Sequence, residues 1–589
     1  MSSSLNSESV LETLKAKPAN TQTGSGVNIP YPFPSPADWR DHWIYFLLVD
    51  RFNNPSGPPV PNIYPCLPYQ GGNFSGIRQQ LPYLKSLGVG AIWISPVLMN
   101  PQWFNDYWGG YGTLDFIRIE PRFCDNPAAA LADSSIGDNE FRALVDEIHA
   151  QGMYVILDIV LNHAANVFNY EGARDIKPWK ENGEYDIFWR DETGQALGNW
   201  TDVENIPNPP SNGVVWPKEF QRNDYFRRKG EDGSRGDFTG MKELVTEYLI
   251  PGTSVYPVRN LLITAYQYLI AKFDLDGYRI DTLQYVEAAF ARVFGNAMRE
   301  YALSIGKKNF FTFGEVWQDD DESKIAEFVG RNTENKDHFV GVDAAIDFPM
   351  KKRLEAVCKG FAPPRSLSDH FDYRLETLRK IVSSHGDAGR HYVTFLDNHD
   401  QDYRFHDPGF PEQTKMALTC MMCMQGIPSV YYGTEQALSG AGGNREFARE
   451  ALWGRPNAFN RGANLYKFLQ DLSIFRASEP ALRYGRQYFR PCSENGGAFT
   501  HSSSAGGVIA FSRVLNNKEV VVVVNTSVSQ PVVADILVDK NLHDAGKQWE
   551  FLFPFLSRGV LPDLSRSQED LRTIRVRLEK MEFVVIAEI

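Results

Sequence analysis

The sequence repeats a unit in which an amphipathic helix ends at a glycine and a short apolar strand follows. In the first clear copy, apolar residues three or four apart from Ile77 to Leu87 precede Gly88 and the run AIWI at 91–94. This spacing places the apolar side chains on one helical face, and glycine commonly ends a helix. A strand that is apolar on both sides is typical of a parallel sheet covered by helices. The repeat therefore predicts an α/β fold.

Further copies extend the pattern along the chain. Helical patterns precede the apolar runs YVILD at 154–158 and GYRID at 277–281. Runs at 311–314, 391–396 and 427–432 are additional candidate strands. A long series of helix–strand units favours closure into a (β/α)8 TIM barrel.

Two stretches and the N-terminus lack this repeat of helix and strand. One stretch is rich in Asn, Pro, Gly, Trp and Asp without a helical period, which predicts an inserted subdomain after the third strand. Near the C-terminus, short β-rich runs separated by turn residues predict an all-β sandwich. The N-terminal residues are polar, which predicts a disordered tail. The resulting division is a tail at 1–30, a barrel at 31–163 and 237–483, an inserted domain at 164–236, and a C-terminal β-sandwich at 484–589.

Composition narrows the class of protein. The formal net charge of −13 argues against nucleic acid as a partner, and 43% hydrophobic residues allow a large core. No apolar run reaches the roughly 18 residues of a membrane helix, which argues against a membrane protein. The first 26 residues lack the apolar centre of a secretory signal, which predicts a cytoplasmic protein. Six cysteines are too few for a disulfide framework, so Cys420 and Cys423 are expected to be buried thiols.

Ionisable side chains stand where several predicted strands end. Asp158, Asp281, Glu315 and Asp400 each follow an apolar run, and His399 directly precedes Asp400. In a parallel barrel the C-terminal strand ends form the reaction site. A single Asp at such a position would more often cap a loop or helix. Four strand ends that carry acids or histidines together predict an active site.

Two of these carboxylates have contrasting surroundings. Arg279 and Asp281 lie two apart on a strand and share a face, so the guanidinium should keep Asp281 ionised, as a nucleophile requires. Glu315 lies in the aromatic run FTFGEVW at 311–317, where desolvation should raise its pKa, as a general acid requires. Retaining glycosidases use such a pair. The alternative is a structural ion pair of Arg279 and Asp281 beside an isolated buried glutamate.

Four short motifs at the predicted strand ends occur in a definite order. They are DIVLNH at 158–163, GYRID at 277–281, GEVW at 314–317 and FLDNHD at 395–400. Together they resemble the motifs of the α-amylase family, glycoside hydrolase family 13. The resemblance covers most of the chain and implies a barrel, a domain inserted after the third strand and a C-terminal β-sandwich. The supporting matches are DRF at 50–52, GY at 110–111 ahead of Asp115, and GIPSVYYG at 426–433.

The resemblance implies a role for each matching residue. Asp281 would be the nucleophile, Glu315 the acid/base, and Asp400 a third carboxylate that stabilises the transition state. A tyrosine would stack on the bound glucosyl ring, two histidines would bind its hydroxyls, and an arginine would position the nucleophile. These substrate-binding residues are Tyr111, His163, Arg279 and His399.

The sequence also departs from the family pattern. Gly109 stands where a His often precedes the Gly-Tyr pair, and Gln284 with Tyr285 stands where Lys-His commonly follows the nucleophile. Asn162 matches a frequent calcium ligand, which makes calcium a candidate ion, although an Asn at a strand end is equally well a loop cap. No cofactor is required by the implied chemistry. Thr282, directly after the nucleophile, resembles members that act on α-1,4 bonds.

We therefore expect a retaining α-glucoside hydrolase that acts on α-1,4-linked glucose oligomers or polymers through a covalent glycosyl-enzyme intermediate. One alternative is an α-glucan transglycosylase of the same family, in which a sugar hydroxyl replaces water. Another is a noncatalytic carbohydrate-binding or transporter-subunit protein built on the same barrel. The sequence leaves open the chain-length preference, endo or exo action, and the oligomeric state.

Overall fold

The computed structural model describes residues 3–15, 28–57, 67–336, 338–440, 442, 444–543, 548–554 and 571–588. Within these ranges the chain forms a barrel, a segment inserted into the barrel, and two antiparallel sheets at the C-terminal end.

Eight short parallel strands form one sheet that closes on itself. Each strand pairs with its neighbour in the chain, and the eighth pairs with the first. A parallel bridge between Ile346 and Val393 joins the sixth strand to the seventh and completes the circle. The predicted (β/α)8 barrel is thus confirmed. Its strands are β1 (Ile44–Leu47), β2 (Ala91–Ile94), β3 (Tyr154–Val160), β4 (Gly277–Asp281), β5 (Phe311–Gly314), β6 (Ala344–Ala345), β7 (Val393–Thr394) and β8 (Ile427–Tyr431).

Helices cover the outside of this sheet. The described α-helices are α1 (Glu8–Lys15), α2 (Val49–Phe52), α3 (Phe74–Gln79), α4 (Leu81–Leu87), α5 (Pro127–Ala132), α6 (Ser134–Ala150), α7 (Pro257–Phe273), α8 (Ala288–Ser304), α9 (Glu322–Ala326), α10 (Phe348–Cys358), α11 (Arg365–Thr377), α12 (Pro411–Cys423), α13 (Arg445–Ala448), α14 (Asn464–Ser478) and α15 (Pro480–Tyr484). Gly88 ends α4 with a left-handed φ of 91°, as its place in the repeat predicts.

The strands predicted at 91–94, 277–281 and 311–314 match β2, β4 and β5 residue for residue. The sequence gives no sign of β6, because two alanines carry no periodic signal. At 391–396 the chain pairs for only two residues as β7, and then leaves the sheet for the loop that carries His399 and Asp400.

A long segment separates β3 from α7, so the subdomain inserted after the third strand is present. Antiparallel pairing joins His163–Ala164, where the segment leaves, to Lys242–Glu243, where it returns. This pairing extends past the expected limit at 236. Beyond that limit, the Asp237 carboxylate still accepts a hydrogen bond from Tyr170 Oη, inside the segment, at 2.8 Å.

The expectation of a disordered tail at 1–30 is wrong for residues 3–15. Helix α1 lies against α7, and Leu5 and Val10 are buried. The carboxylate of Glu219 accepts hydrogen bonds from Ser4 Oγ at 2.6 Å and from the Leu5 N–H at 3.0 Å. Although this segment is polar overall, its few apolar side chains are enough to pack one short helix against α7. Residues 1–2 and 16–27 of the expected tail lie outside the described residues.

Two antiparallel sheets pack face to face at the C-terminal end, which confirms the predicted β-sandwich. One sheet has five strands and the other three. In the strand Lys518–Asn525 of the larger sheet, Val521 and Val523 face the smaller sheet, whereas Val520, Val522 and Val524 face the barrel. A run of five valines is thus one strand buried on both faces. The strands are β9 (Arg486–Phe489), β10 (Cys492–Glu494), β11 (Val508–Leu515), β12 (Lys518–Asn525), β13 (Val532–Leu537), β14 (Trp549–Phe553), β15 (Thr573–Leu578) and β16 (Phe583–Glu588), of which β10, β13 and β15 form the smaller sheet.

Within the described ranges, no helix has both the length and the apolar character that a membrane crossing requires. The described cysteines, which include Cys420 and Cys423, are buried free thiols, as the sequence predicts. Cys66 lies outside the described residues.

Candidate active site

Three acidic side chains from different strand ends meet in one cavity. Asp281 is the last residue of β4, Glu315 directly follows β5, and Asp400 lies on the loop after β7. All three line a cavity of about 130 Å³, together with Tyr111 and Phe238. A larger cavity of about 970 Å³ opens at the opposite end of the barrel and is lined by none of them. The structure therefore brings the predicted carboxylates together at the end of the barrel where the sequence places the reaction site.

Arg279 connects the carboxylates beneath this cavity. Its Nη1 lies 2.8 Å from Asp281 Oδ1 and 2.9 Å from Asp158 Oδ1, and its Nη2 lies 3.0 Å from Glu315 Oε1. The guanidinium is fully buried. Strand β4 has β3 on one side and β5 on the other, so a side chain on β4 reaches both neighbours. One guanidinium thus contacts carboxylates from three adjacent strands.

Burial dominates the protonation of the two central carboxylates. It raises the pKa of Asp281 to about 7 and that of Glu315 to about 8, although Arg279 opposes both shifts. The raised pKa of Glu315 agrees with the prediction. Arg279 lowers the pKa of Asp281, as the sequence predicts, but the shared guanidinium does not offset the lost hydration, so the net shift in pKa is upward. Of the two, Glu315 has the higher pKa and therefore keeps its proton to higher pH.

Asp400 has the opposite electrostatic surroundings. Burial alone would raise the pKa of Asp400, but His399 and Arg449 beside it lower the pKa below its usual value. Arg449 Nη2 lies 2.9 Å from Asp400 Oδ1, and its Nε donates to the His399 carbonyl at 2.8 Å. Burial lowers the pKa of His399 to about 3, so the imidazole is neutral and Arg449 supplies the positive charge. Asp400 is therefore charged at physiological pH.

Tyr111 forms one wall of the cavity, and Gly109 leaves room for it. Tyr111 Oη donates to Asp158 Oδ2 at 2.9 Å and lies 2.7 Å from His399 Nε2. Its ring stacks on that of His399 with centroids 5.3 Å apart. Gly109 has a φ of 80°, and a Cβ there would lie 2.5 Å from Tyr111 Cε2. The glycine found in place of the expected His is thus required by this position of the tyrosine ring.

The turn after β4 ties its backbone to Glu315. Thr282 has a left-handed φ of 47°, a conformation that costs a β-branched residue about 1–3 kcal/mol. Its N–H donates to Glu315 Oε2 at 3.0 Å. Backbone strain therefore lies between the two central carboxylates and helps to fix the orientation of Glu315.

Not every predicted substrate-binding residue reaches the cavity surface. Tyr111 does, whereas Arg279, His163 and His399 are fully buried behind it. The His163 ring stacks on Phe238, a lining residue, with centroids 5.7 Å apart. Burial lowers the pKa of His163 to about 4, so this imidazole is neutral.

Several lining residues carried no signal in the sequence. Arg449 and Arg445 come from the segment after β8, and Phe238 comes from the inserted segment. A single Arg or Phe in a loop cannot be told from a surface residue until the loops are placed. Trp317 also lines the cavity, and its position inside the GEVW motif with Glu315 could have identified it.

The contacts of Asn162, the candidate calcium ligand, lie within the inserted segment and its return strand. Asn162 Nδ2 lies 3.4 Å from His163 Nδ1, and the Asn162 carbonyl accepts the Leu244 N–H at 2.9 Å. Glu243, on the strand paired with His163, is held by Arg227 Nε at 2.9 Å. Among the residues that the structure describes, no three Asp, Glu, His or Cys side chains gather in a way that could hold a metal.

The sequence of this chain matches the protein-family model of the α-amylase catalytic domain over residues 46–470. The chain belongs to the α-amylase family. An α-amylase of Streptomyces lividans is 27% identical over 523 residues, which cover 79% of this chain and 52% of that protein. A cyclomaltodextrin glucanotransferase of Geobacillus stearothermophilus is 27% identical over 477 residues, which cover 75% of this chain and 55% of that protein. This α-amylase family member thus spans about half the length of these relatives.

Solved structures of other proteins show the same fold. The α-amylase of Geobacillus thermoleovorans, complexed with acarbose, has a TM-score of 0.63 and 22% identity and covers 94% of this chain and 99% of that one. The γ-CGTase of alkalophilic Bacillus clarkii has a TM-score of 0.64 and 21% identity and covers 94% of this chain and 71% of that one. The fold and the α-amylase family predicted from the motifs are both confirmed.

Proposed function

We propose that this protein is a retaining α-glucoside hydrolase that acts on α-1,4-linked glucose oligomers or polymers. The observation that carries the proposal is the meeting of Asp281, Glu315 and Asp400 in one cavity, with Arg279 in contact with the first two. Membership of the α-amylase family supports an α-glucan as the substrate. The chemistry needs side chains only and no cofactor.

The first step breaks the glycosidic bond. Glu315, protonated because burial raises its pKa, donates its proton to the glycosidic oxygen, and Asp281 attacks the anomeric carbon from the other face. The leaving sugar departs with the proton, and Asp281 becomes the ester of a glycosyl-enzyme. Arg279 Nη2, 3.0 Å from Glu315 Oε1, stabilises the negative charge that appears on Glu315.

The second step releases the sugar. Glu315, now a carboxylate, takes a proton from a water molecule whose oxygen attacks the anomeric carbon. Asp281 leaves as a carboxylate and regains its ion pair with Arg279. Two displacements with inversion give a product that keeps the α configuration.

Asp400 has an electrostatic role in this proposal. An ion pair with Arg449 stabilises the negative charge of Asp400. This charge faces the cavity, where positive charge develops on the sugar ring. A preoriented charge in a site shielded from water stabilises a transition state more than the same charge in solution. Asp400 would also accept hydrogen bonds from hydroxyls of the bound sugar.

An α-glucan transglycosylase is the second candidate. It is favoured by the 27% identity to a cyclomaltodextrin glucanotransferase, equal to that with the amylase. Trp108, Phe238 and Trp317 line the cavity and offer flat faces to an acceptor sugar. A noncatalytic carbohydrate-binding protein is disfavoured, because it would not need a complete set of three carboxylates.

Product analysis with maltoheptaose tests the proposal. We expect glucose, maltose and other short oligosaccharides as the main early products, in the α configuration when followed by NMR. Cyclic products, or products longer than the substrate, would replace the hydrolase with the transglycosylase. Binding with neither cleavage nor transfer would refute both. Asp281→Asn is the control, and it should keep the fold by circular dichroism while losing activity.

A further inference from the structure

Two motifs of the sequence lie beside the candidate active site without lining its cavity. One is DRF at 50–52, in the helix that follows β1, and the other is the tyrosine pair at 431–432, where β8 ends. Arg51, Tyr431 and Tyr432 in these motifs are buried. Because buried polar groups need partners, the contacts of these three side chains show what they hold in place.

The three side chains bind one short stretch of backbone. Helix α13 ends at Ala448, so its last carbonyls and those that follow have no partner within the helix. Three successive carbonyls each accept a hydrogen bond from one of the three side chains: Tyr431 Oη donates to Ala448 at 3.1 Å, Arg51 Nη1 to Arg449 at 3.0 Å, and Tyr432 Oη to Glu450 at 2.7 Å. In the other direction, the Leu452 N–H donates to the Arg51 carbonyl at 2.8 Å. The stretch 448–452 is thus anchored to the chain that follows β1 and β8.

Arg449 lies in the middle of this stretch and reaches the third carboxylate. Its Nη2 lies 2.9 Å from Asp400 Oδ1, and its Nε donates to the His399 carbonyl at 2.8 Å. An unrestrained arginine side chain has many rotamers, and a fixed backbone limits where its guanidinium can lie. The place of the positive charge beside Asp400 therefore depends on the backbone at 448–450.

Arg51 is itself held from several directions. Its Nε lies 2.7 Å from Asp50 Oδ2, and its Nη2 donates to the Pro68 carbonyl at 3.1 Å. Its guanidinium also lies over the Tyr107 ring, 5.0 Å from the centroid. A planar guanidinium donates in several fixed directions at once, whereas a lysine ammonium is a point charge. Arg51 therefore joins the helix after β1 to the carbonyl of Arg449 in one fixed geometry.

The two tyrosines are fixed by another arginine. The Arg404 guanidinium lies 4.4 Å from the ring centroid of Tyr431 and 4.9 Å from that of Tyr432. Arg404 Nη1 also donates to the Tyr432 carbonyl at 2.7 Å. Since β8 pairs with β1, the barrel sets the positions of both hydroxyls and of Arg51.

Stability alone would also account for hydrogen bonds to buried carbonyls. A role in the reaction differs in one respect, because it acts through the Arg449 side chain. A displacement of about 1 Å near a reacting centre can cost about 10²-fold in rate, so a small change in the backbone at 448–450 would affect the reaction. The two roles therefore make different predictions once the Arg449 guanidinium is removed.

We propose that Arg51, Tyr431 and Tyr432 are positioning residues, which fix Arg449 so that its guanidinium stays against Asp400 during the reaction. None of the three lines the cavity, and they act on the reaction through Arg449. This inference rests on the proposed function, because the charge of Asp400 matters where positive charge develops on a sugar ring.

A double-mutant cycle tests the proposal with the full chain and maltoheptaose as the substrate. One arm combines Tyr431→Phe with Tyr432→Phe, which removes the two hydroxyls and keeps the rings. We expect this pair to lower kcat/KM about 10-fold in the wild-type background, as misplacement of a group near the reaction does. In an Arg449→Met background, where no guanidinium remains to be positioned, the pair should have an effect of less than about 2-fold.

Tyr466→Phe is the matched control. The Tyr466 ring is buried, and its hydroxyl donates to the Tyr83 carbonyl at 3.1 Å, away from the cavity lining. This variant should lose stability as one tyrosine substitution of the pair does, while its kcat/KM stays unchanged. Arg51→Lys, which keeps a positive charge beside Asp50, should lower kcat/KM in the wild-type background and lose this effect in the Arg449→Met background.

The outcomes separate this inference from the proposed function. Equal losses from the tyrosine pair in both backgrounds, or no loss in the wild-type background, would overturn the positioning role. If the pair does not fold, Tyr432→Phe alone decides by the same comparison. A wild type that converts no α-glucan would refute the proposed function instead. A crystal structure of the tyrosine variant would then decide: Arg449 Nη2 still within about 3.2 Å of Asp400 would overturn the positioning role, and a longer separation would support it.

Discussion

At the scale of single residues, the position of Tyr111 in the cavity wall depends on the absence of a side chain at Gly109. A Cβ at position 109 would lie 2.5 Å from the Tyr111 ring, and this ring contacts both Asp158 and His399. We expect Gly109→Ala to displace Tyr111 and to lower kcat/KM by on the order of 10²-fold, as misplacement near a reacting centre can do.

Gly252→Ala is the matched control for this prediction. Gly252 has a φ of 76°, near the 80° of Gly109, but a Cβ at 252 would have no atom within 4 Å. The backbone strain is therefore similar and only the collision differs. If both variants lose the same activity, backbone strain rather than the position of Tyr111 controls the site.

The protonation of Asp281 and Glu315 predicts the pH dependence. Asp281 must be charged, so activity should fall as pH drops below about 7, and Glu315 must carry its proton, so activity should fall as pH rises above about 8. We expect a narrow bell-shaped profile of kcat/KM whose two limbs belong to the coupled pair. A profile with no alkaline limb would contradict the role given to Glu315.

Sequence reasoning located the carboxylates because each one ends a recognisable strand. It did not anticipate the net rise in the pKa of Asp281, because the sharing of Arg279 with Asp158 and Glu315 depends on the order of strands around the barrel. It could not find Arg449, which lies 49 positions from its partner Asp400 and in no motif. Contacts between distant loops are set by the closed sheet and not by local pattern.

At the scale of elements, the length of a strand decided whether the sequence revealed it. β2, β4 and β5 are bounded by clear signals, whereas β6 has two residues and leaves no pattern. In the sandwich, the five valines of β12 indicate a strand but not that its two faces meet different partners. That information lies in the docking of the sheet on the barrel.

One contact between elements of the sandwich makes stability depend on pH. His543 Nε2 lies 2.8 Å from Glu519 on β12, and His543 Nδ1 contacts Glu588 on β16. Burial would lower the pKa of His543, but the hydrogen bonds that its ring donates to the two carboxylates raise the pKa above its usual value. The protonated form therefore stabilises the fold below about pH 6.5, and this contribution is lost as pH rises through the folded pKa.

We accordingly expect the Tm of the wild type to fall as pH rises through neutrality, by calorimetry. His543→Gln should have a lower Tm at mildly acidic pH and a weaker dependence on pH in this range. Equal slopes for the two proteins would show that His543 is not the titrating group.

At the scale of the whole molecule, positively charged side chains link parts of the inserted segment to one another and to Lys242–Glu243, where the chain returns to the barrel. Lys242 Nζ lies 2.7 Å from Asp237 and from the Asp175 carbonyl, and Arg227 holds Glu243. We expect exhaustive dialysis against EDTA to leave Tm and activity unchanged, because Lys242 and Arg227 already neutralise these two carboxylates without a metal.

Lys242→Met should lower Tm under the same conditions, since it leaves the buried Asp237 carboxylate without its cation; loss of a buried partner typically costs about 3–5 kcal/mol. A fall in Tm of the wild type on chelation, restored by added calcium, would instead place a structural ion in this protein.

The central claim is that Asp281 forms a covalent bond to the sugar while Glu315 moves the proton. Mass spectrometry of Glu315→Gln after reaction with α-glucosyl fluoride tests it most directly, because fluoride leaves without protonation and the missing base, worth about 10² to 10⁴ in rate, slows release. We expect an adduct of one glucosyl unit on the peptide that carries Asp281, and none when Asp281→Asn is added. An adduct on another carboxylate, or no adduct while the fluoride is turned over to a β-configured product, would contradict the claim.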